Sequence, residues 1–243
     1  MRVVALIPAR YDSQRFPGKL LKDLQGKTVI WRTYKAALQS NLFEDVWVIT
    51  DSDAIFDEIH KKGGKSLKSK GQHATGTDRI AEFAKEIEAD IFINIQGDEP
   101  FINSEQLASI IDVFRQDDTH EIDIASLMMP IEDKASFLNP NNVKVVTDQQ
   151  DFALYFSRAP IPFSRDYIFE KAYKHIGVYA FRKAALMKIA DLPQTDLEKI
   201  EKLENLRFIQ HGLKIKMITT QQANFGIDTP EDLQKAITYL KKL

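Results

Sequence analysis

VVALI, residues 3–7, running into PARYDSQRFPGK, residues 8–19, is the stretch on which the reading of this chain turns. The first part is apolar throughout and rich in β-branched residues, so neither face of a strand built from it is polar. That is the pattern of a parallel strand covered on both sides. It returns at VWVIT (46–50) and IFINI (91–95). Between these runs, VIWRTYKAALQS spaces Ile30, Tyr34, Ala37 and Leu38 at helical intervals, and TDRIAEFAKEI does the same with Ile80, Phe83, Ala84 and Ile87. Strand and helix in alternation predict an α/β fold on a parallel sheet with helices over both faces.

Further along, NSEQLASIIDVF (103–114) reads as a polar-capped helix, and IDIASLMM, NVKVV, FALYFS and HIGVYAFR read as strands. The Pro-, Ser- and Arg-containing stretch before HIGVYAFR is expected to be a loop or flap. TDLEKIEKLENLRFIQ reads as a helix opened by a Thr195–Glu198 capping box, and KIKMITT as a strand. DTPEDLQKAITYLKKL closes the sequence as a helix with Thr229 as N-cap and Pro230 in its first turn, turning Leu233, Ile237 and Leu240 inward. The lysine-rich HKKGGKSLKSK (60–70) is expected to be a solvated face and turn.

A chain of 243 residues can bury its own core without disulfides, and it has no cysteine. Thiolate chemistry and cysteine-ligated metals are therefore excluded. With 33 basic and 35 acidic side chains the formal charge is −2, so net charge signals neither a nucleic-acid nor a membrane surface. No apolar run approaches the roughly 20 residues that span a bilayer, and no secretory pattern opens the sequence. The expected compartment is the cytoplasm.

The loop 8–19 leaves the first strand where ligands bind in open parallel sheets, beyond the carboxyl ends of the strands. It matches neither GxGxxG nor GxxxxGK[ST]. Arg10, Arg15 and Lys19 are candidates to neutralise a triphosphate, with Pro17 and Gly18 shaping the turn; an ordinary basic turn is the alternative. INIQGDEP (93–100) puts Asp98 at a strand end, where a carboxylate can hold Mg²⁺ against phosphate oxygens. Asp228, at a strand-to-helix junction, is the second carboxylate; simple strand termination and helix entry are the competing readings. HATGTDR (73–79) offers hydroxyls and backbone amides to a base or an anion, or merely caps a helix through Thr75 or Thr77. Arg158, His175, Glu198, Glu201 and Asn205 are candidates for a substrate carboxylate or hydroxyls, the last three along one helical face, against ordinary surface or structural roles. There is no G-x-S-x-G and no HExxH.

Taken together, PARYDSQRFPGK, HATGTDR, INIQGDEP, NPNNVKVV, ALYFSRAPIPFSRD, YKHIGVYAF, LEKIEKLENLR and GIDTPEDL resemble, in order and spacing, the CMP-Kdo synthetases (3-deoxy-manno-octulosonate cytidylyltransferases) over essentially the whole chain. The resemblance implies a Rossmann-like nucleotide-diphospho-sugar transferase fold. Residues 1–243 would form a single cytidylyltransferase domain, with a sugar-binding and dimerisation subdomain at about 125–215. It implies a homodimer that converts CTP and Kdo to CMP-Kdo and pyrophosphate with Mg²⁺, in lipopolysaccharide biosynthesis. By the same resemblance Ala9, Arg10, Ser13, Arg15 and Lys19 surround the nucleotide and its phosphates, and Thr75, Gly76 and Thr77 recognise cytidine. Asp98 and Asp228 hold the metal. Gln96, Arg158, His175, Tyr179, Glu204 and Asn205 hold the sugar.

Two positions depart from the family's usual pattern. Asn205 stands where Gln is usual, and its shorter reach leaves open an amino-substituted or other 2-keto sugar acid, such as a neuraminate. Thr75 stands where Ser is usual and keeps the hydroxyl. A nucleotide-binding regulatory protein without catalysis is the remaining alternative.

Overall fold

The computed structural model describes residues 1–13, 15–71, 73, 75–165, 171–222 and 225–242. Gln14, Ala74, residues 166–170 and Leu243, which belong to the segments read above, lie outside the described residues. The chain forms two compact units, Met1–Leu107 with Asn224–Leu243, and Ala108–Ala223.

In the first unit the order is β1 (Val3–Ala9), α1 (Val29–Gln39), β2 (Asp45–Thr50), α2 (Asp53–Lys61), β3 (Ser66–Lys68), α3 (Gly76–Ala81), β4 (Ile91–Asn94) and the start of α4 (Ser104–Arg115). The strands run in the order β3-β2-β1-β4 and every pairing is parallel. β1 and β4 are buried at each position, as doubly covered strands must be. Burying each Leu or Ile side chain of such strands contributes about 1.5–3 kcal/mol, so the sheet centre is the main source of cohesion. Because the strands are parallel, the loops after β1, β3 and β4 all leave from the same carboxyl edge.

The second unit holds β5 (Ile124–Ile131), α5 (Lys134–Leu138), β6 (Lys144–Thr147), β7 (Ala153–Ser157), β8 (Ala172–Arg182), α6 (Lys183–Ala190), α7 (Asp196–Glu201), α8 (Glu204–Gln210) and β9 (Ile215–Thr219). β5 lies between β8, antiparallel, and β9, parallel. β6 pairs antiparallel with both β7 and β8. α9 (Pro230–Leu240) returns to the first unit.

Several elements depart from their sequence reading. The helix expected through Ile87 ends as α3 at Ala81; beyond it Phe83, Ala84 and Glu86 donate to carbonyls three residues back. Such turns keep Phe83 and Ala84 in the core, so apolar spacing does not distinguish them from a helix. Leu38 is exposed, and the buried face of α1 runs through Val29, Ile30, Thr33, Tyr34 and Ala37. In α9 only Ala236 is buried, while Leu233, Ile237 and Leu240 are half-buried. The lysine-rich stretch contains β3, with Ser66 buried, and three of its five lysines are matched by acids: Lys62 by Glu58, Lys65 by Asp45, Lys68 by Asp53. The largest departure is at 195–210. Lys202 takes the left-handed conformation (φ 55°) and splits the expected helix into α7 and α8. Glu198, Glu201 and Asn205 therefore do not share one helical face.

Candidate active site

One group of candidate residues is built on the carboxyl edge of the parallel sheet. After Ala9, the last and buried residue of β1, the chain turns out through exposed Arg10 and half-buried Ser13. The loop is closed where Gly18 N–H donates to Tyr11 C=O at 3.2 Å. Phe16 C=O accepts from Lys19 N–H at 3.2 Å, with Pro17 and Gly18 between them. Proline supplies the fixed φ at the first central position and Gly18 the positive φ (65°) at the second. A side chain at 18 would also press on the Tyr11 hydroxyl, 3.3 Å from where its Cβ would lie.

That turn aims Lys19 back at the sheet. Its ammonium contacts Asp98, four residues past the end of β4, and donates to Asp228 Oδ1 at 2.8 Å. Arg15, largely exposed, reaches Asp228 Oδ2 at 3.1 Å. The two carboxylate loops are joined by Ile227 N–H donating to Asp98 C=O at 2.9 Å. Burial works against the Lys19 charge, but Asp98 and Asp228 outweigh it and hold its pKa above the ordinary lysine value.

Two close approaches keep this edge narrow. A Cβ on Gly97 would stand 3.1 Å from both Ile30 Cδ1 and the Pro8 carbonyl, and one on Gly76 would stand 3.1 Å from Pro8 Cγ and 3.7 Å from Gln96 Oε1. Gly76 opens α3, whose N-cap Thr75 forms a capping box with Asp78. Thr77 is buried and accepts from Asn94 Nδ2 at 3.3 Å. Arg79, also buried, anchors the segment through Ser69 and Asp51. Cα backbone and hydroxyl groups from 75–77 thus sit beside the strand end that carries Gln96.

The donor set suits a hard cation. Asp98 and Asp228 already share one positively charged group, and carboxylate oxygens are what Mg²⁺ selects. Among the described residues no three acidic or histidine side chains gather as a complete metal cage.

The second unit brings His175, Tyr179, Glu204 and Asn205 together. Tyr179, buried on β8, is hydrogen-bonded to Asn205, which is 1% exposed at the start of α8. Burial and the nearby Glu204 charge push the Tyr179 pKa well above its ordinary value, so the phenol stays protonated. The Asn205 Oδ1 is buried and has no hydrogen-bond partner among the described residues, an acceptor presented for a donor. His175 lies over Tyr179 with ring centroids 5.2 Å apart, and its Nε2 meets Ser126 Oγ at 2.9 Å. Burial lowers the His175 pKa to about 4, so the ring is neutral at pH 7.

Arg158 is tied into the backbone: Nε donates to Glu201 C=O at 2.8 Å and Nη1 to Pro140 C=O at 3.1 Å. Glu201 in turn accepts from Ser157 Oγ (2.6 Å) and Arg158 N–H (2.9 Å). Glu198 is buried against Arg207, with Nε 3.2 Å from Oε2. Two residues were missed by the sequence reading. Ser126, the partner of His175, is the one hydroxyl in IASLMM; Lys144 is a charge inside the apolar run VKVV, and it is fully buried. A polar residue interrupting an otherwise apolar strand was the available signal for both.

A basic loop, two converging carboxylates and a capped helix on one edge of a parallel sheet define the chain as an α/β nucleotidyltransferase. The family model described as cytidylyltransferase matches residues 4–215. The 3-deoxy-manno-octulosonate cytidylyltransferase of Christiangramia forsetii is 55% identical over 97% of this chain and 95% of its own length, and that of Flavobacterium johnsoniae is 51% identical over 100% of both. A solved CMP:2-keto-3-deoxy-manno-octonic acid synthetase in complex with CTP superposes with a TM-score of 0.93 at 38% identity, covering 100% of this chain and 99% of that one. The chain belongs to the cytidylyltransferase family, among its 3-deoxy-manno-octulosonate cytidylyltransferases. No helix among the described residues is long and apolar enough to cross a membrane.

Proposed function

We propose that the protein transfers CMP from CTP to Kdo, giving CMP-Kdo and pyrophosphate, with Mg²⁺, in lipopolysaccharide biosynthesis. The observation that carries this reading is the convergence of Asp98 and Asp228 on Lys19, with Arg15 beside them, at the carboxyl edge of the sheet. The names of the relatives supply the substrates.

The nucleophile is the anomeric hydroxyl of the sugar acid and the electrophile the α-phosphorus of CTP. A new oxygen–phosphorus bond forms as the bond to the β-phosphate oxygen breaks, pyrophosphate departs with the electron pair of that bond, and the hydroxyl proton is released to solvent. Both substrates are anionic, so their repulsion has to be suppressed before the hydroxyl can approach. In this reading Arg15 and Lys19 take up charge that develops on departing pyrophosphate, with Arg10 assigned to the same phosphates. Ala9, Ser13, Thr75, Gly76 and Thr77 hold the nucleotide through the loop and the start of α3. Mg²⁺, held by Asp98 and Asp228, supplies neutralisation of the triphosphate when bound. On the sugar side, Gln96, Arg158, His175, Tyr179, Glu204 and Asn205 hold the acid and its hydroxyls, the neutral His175 ring and the protonated Tyr179 acting through hydrogen bonds. Positioning and electrostatics carry the reaction, and no protein nucleophile is needed.

This reading extends to a cytoplasmic homodimer whose sugar-binding and dimerisation subdomain spans about 125–215, a state that sedimentation of the purified chain tests directly. Activity is tested by pyrophosphate release from CTP with Mg²⁺ and a panel of sugar acids: Kdo, its 8-amino-8-deoxy analogue and a neuraminate. Kdo should be turned over fastest, and Asp98→Ala or Asp228→Ala should lower the rate by about a hundredfold or more. CTP binding with no pyrophosphate release from any acid would replace this reading with a regulatory one.

A further inference from the structure

Lys144 lies in the second unit, on β6, with its side chain out of contact with solvent. An ammonium taken out of water is costly unless its donors are satisfied. Here Nζ donates to Asn139 C=O (3.1 Å), Asn142 C=O (2.7 Å) and Arg158 C=O (2.6 Å), which uses all three of its N–H groups. The acceptors come from two separate segments, the turn 139–142 and the end of β7.

Both segments lead to groups that the proposed function places on the sugar. Arg158, whose carbonyl Lys144 binds, donates its guanidinium to the carbonyls of Pro140 and Glu201. Val143, the neighbour of Lys144, accepts from the His175 N–H at 2.8 Å. Glu201, clamped by Ser157 and the Arg158 N–H, stands three residues before Glu204 in the sequence. One buried cation therefore closes a ring of contacts from which Arg158 and His175 extend.

We infer that Lys144 is a positioning residue for the sugar acid: it touches no substrate, and it fixes the turn 139–142 to the end of β7 so that Arg158 and His175 are held in register. A side chain of the same length without donors would take the Nζ donor from the Asn142 and Arg158 carbonyls, leave Asn139 C=O with only the Asn142 N–H, and release the turn from the end of β7. A displacement of about 1 Å in groups that position a substrate costs up to about a hundredfold in rate, whereas the nucleotide groups of the first unit would be untouched.

This inference rests on the proposed function, and the test separates the two. In the full-length Lys144→Met variant, the KM for Kdo at saturating CTP should rise about tenfold or more, with the KM for CTP unchanged within about twofold. Lys144→Arg, which keeps charge and donors, should recover part of the loss. Equal changes in both KM values, or none, would overturn the inference. Glu201→Gln, which weakens the same ring without removing the buried cation, should shift the Kdo KM alone in the same direction, and an unchanged value there would overturn it even if Lys144→Met fails to fold.

Hydrogen exchange provides a readout that needs no substrate. Peptides covering 139–143 and 157–158 should lose protection in Lys144→Met or Glu201→Gln while those of residues 1–107 keep theirs. Unchanged protection at both segments would refute the positioning role whichever sugar acid the enzyme uses. If the wild-type chain releases no pyrophosphate from any acid, the activity reading fails, and selective exchange would then show that the clasp survives it.

Discussion

His175 shows how one side chain's surroundings set its chemistry. Its ring is packed against Phe156 and Tyr179 and meets Ser126, and burial lowers its pKa to about 4. The unfolded chain binds a proton there below about pH 6.5, while the folded chain does not until about pH 4. Between those values the unfolded state holds more protons, so stability rises with pH across this window and is lost on acidification. The thermal midpoint is expected to fall from pH 6.5 to pH 4, and the slope should be shallower in His175→Gln; equal slopes would show that the ring is not desolvated. Asp117 acts in a lower window. Burial opposes its ionisation, but the Ile122 N–H, Arg182 and the Glu121 N–H hold its pKa down to about 2. Its contribution is complete above the ordinary carboxylate pKa and is lost as pH falls toward 2. His175 was visible in the sequence as a histidine opening an apolar strand. Its neutrality was not, because that depends on Ser126 and Phe156, which come from other strands.

At the scale of elements, what was legible followed from repeated apolar patterns, and what was not followed from single backbone conformations. The strands VVALI, VWVIT and IFINI are β1, β2 and β4 within a residue or two, because a strand buried on both faces admits few polar residues. The Pro17–Gly18 turn announced itself through two residues with special φ requirements. The break at Lys202 had no such signal. Lysine seldom adopts a left-handed conformation, and here the capping geometry around Leu203 imposes it. Lys202→Gly is accordingly expected to stabilise the protein by about 0.5 kcal/mol or more in urea unfolding, since glycine adopts this conformation without steric cost. Lys202→Ile should be clearly destabilising. Destabilisation by glycine would mean that the lysine side chain, rather than the backbone angle, shapes the junction of α7 and α8.

For the whole molecule, the candidate residues fall into two groups, one in each unit, and the proposed roles give that grouping a kinetic consequence. Arg10, Ser13, Arg15, Lys19, 75–77, Asp98 and Asp228 belong to the first unit, while Arg158, His175, Tyr179, Glu204 and Asn205 belong to the second. Gln96 stands with the first, although its proposed role concerns the sugar. Each group was legible as a set of motifs, and the resemblance implied that Asp98 and Asp228 meet at a metal with the basic loop facing Asp98; the direct bridge by Lys19 was not legible, because sequence separations of 79 and 209 residues are closed only by the fold. If each unit recognises its own substrate, calorimetric titration with CTP and Mg²⁺ should separate them. Arg15→Ala is expected to weaken CTP binding by about three- to tenfold, the loss of one exposed charge-assisted contact. Asn205→Ala should leave that affinity within about twofold of the wild type while raising the KM for the sugar acid about tenfold, because it removes the buried Oδ1 acceptor and the hydrogen bond to Tyr179. A parallel loss of CTP affinity in Asn205→Ala would mean that nucleotide binding already depends on the second unit, and the assignment of substrates to separate units would have to be abandoned.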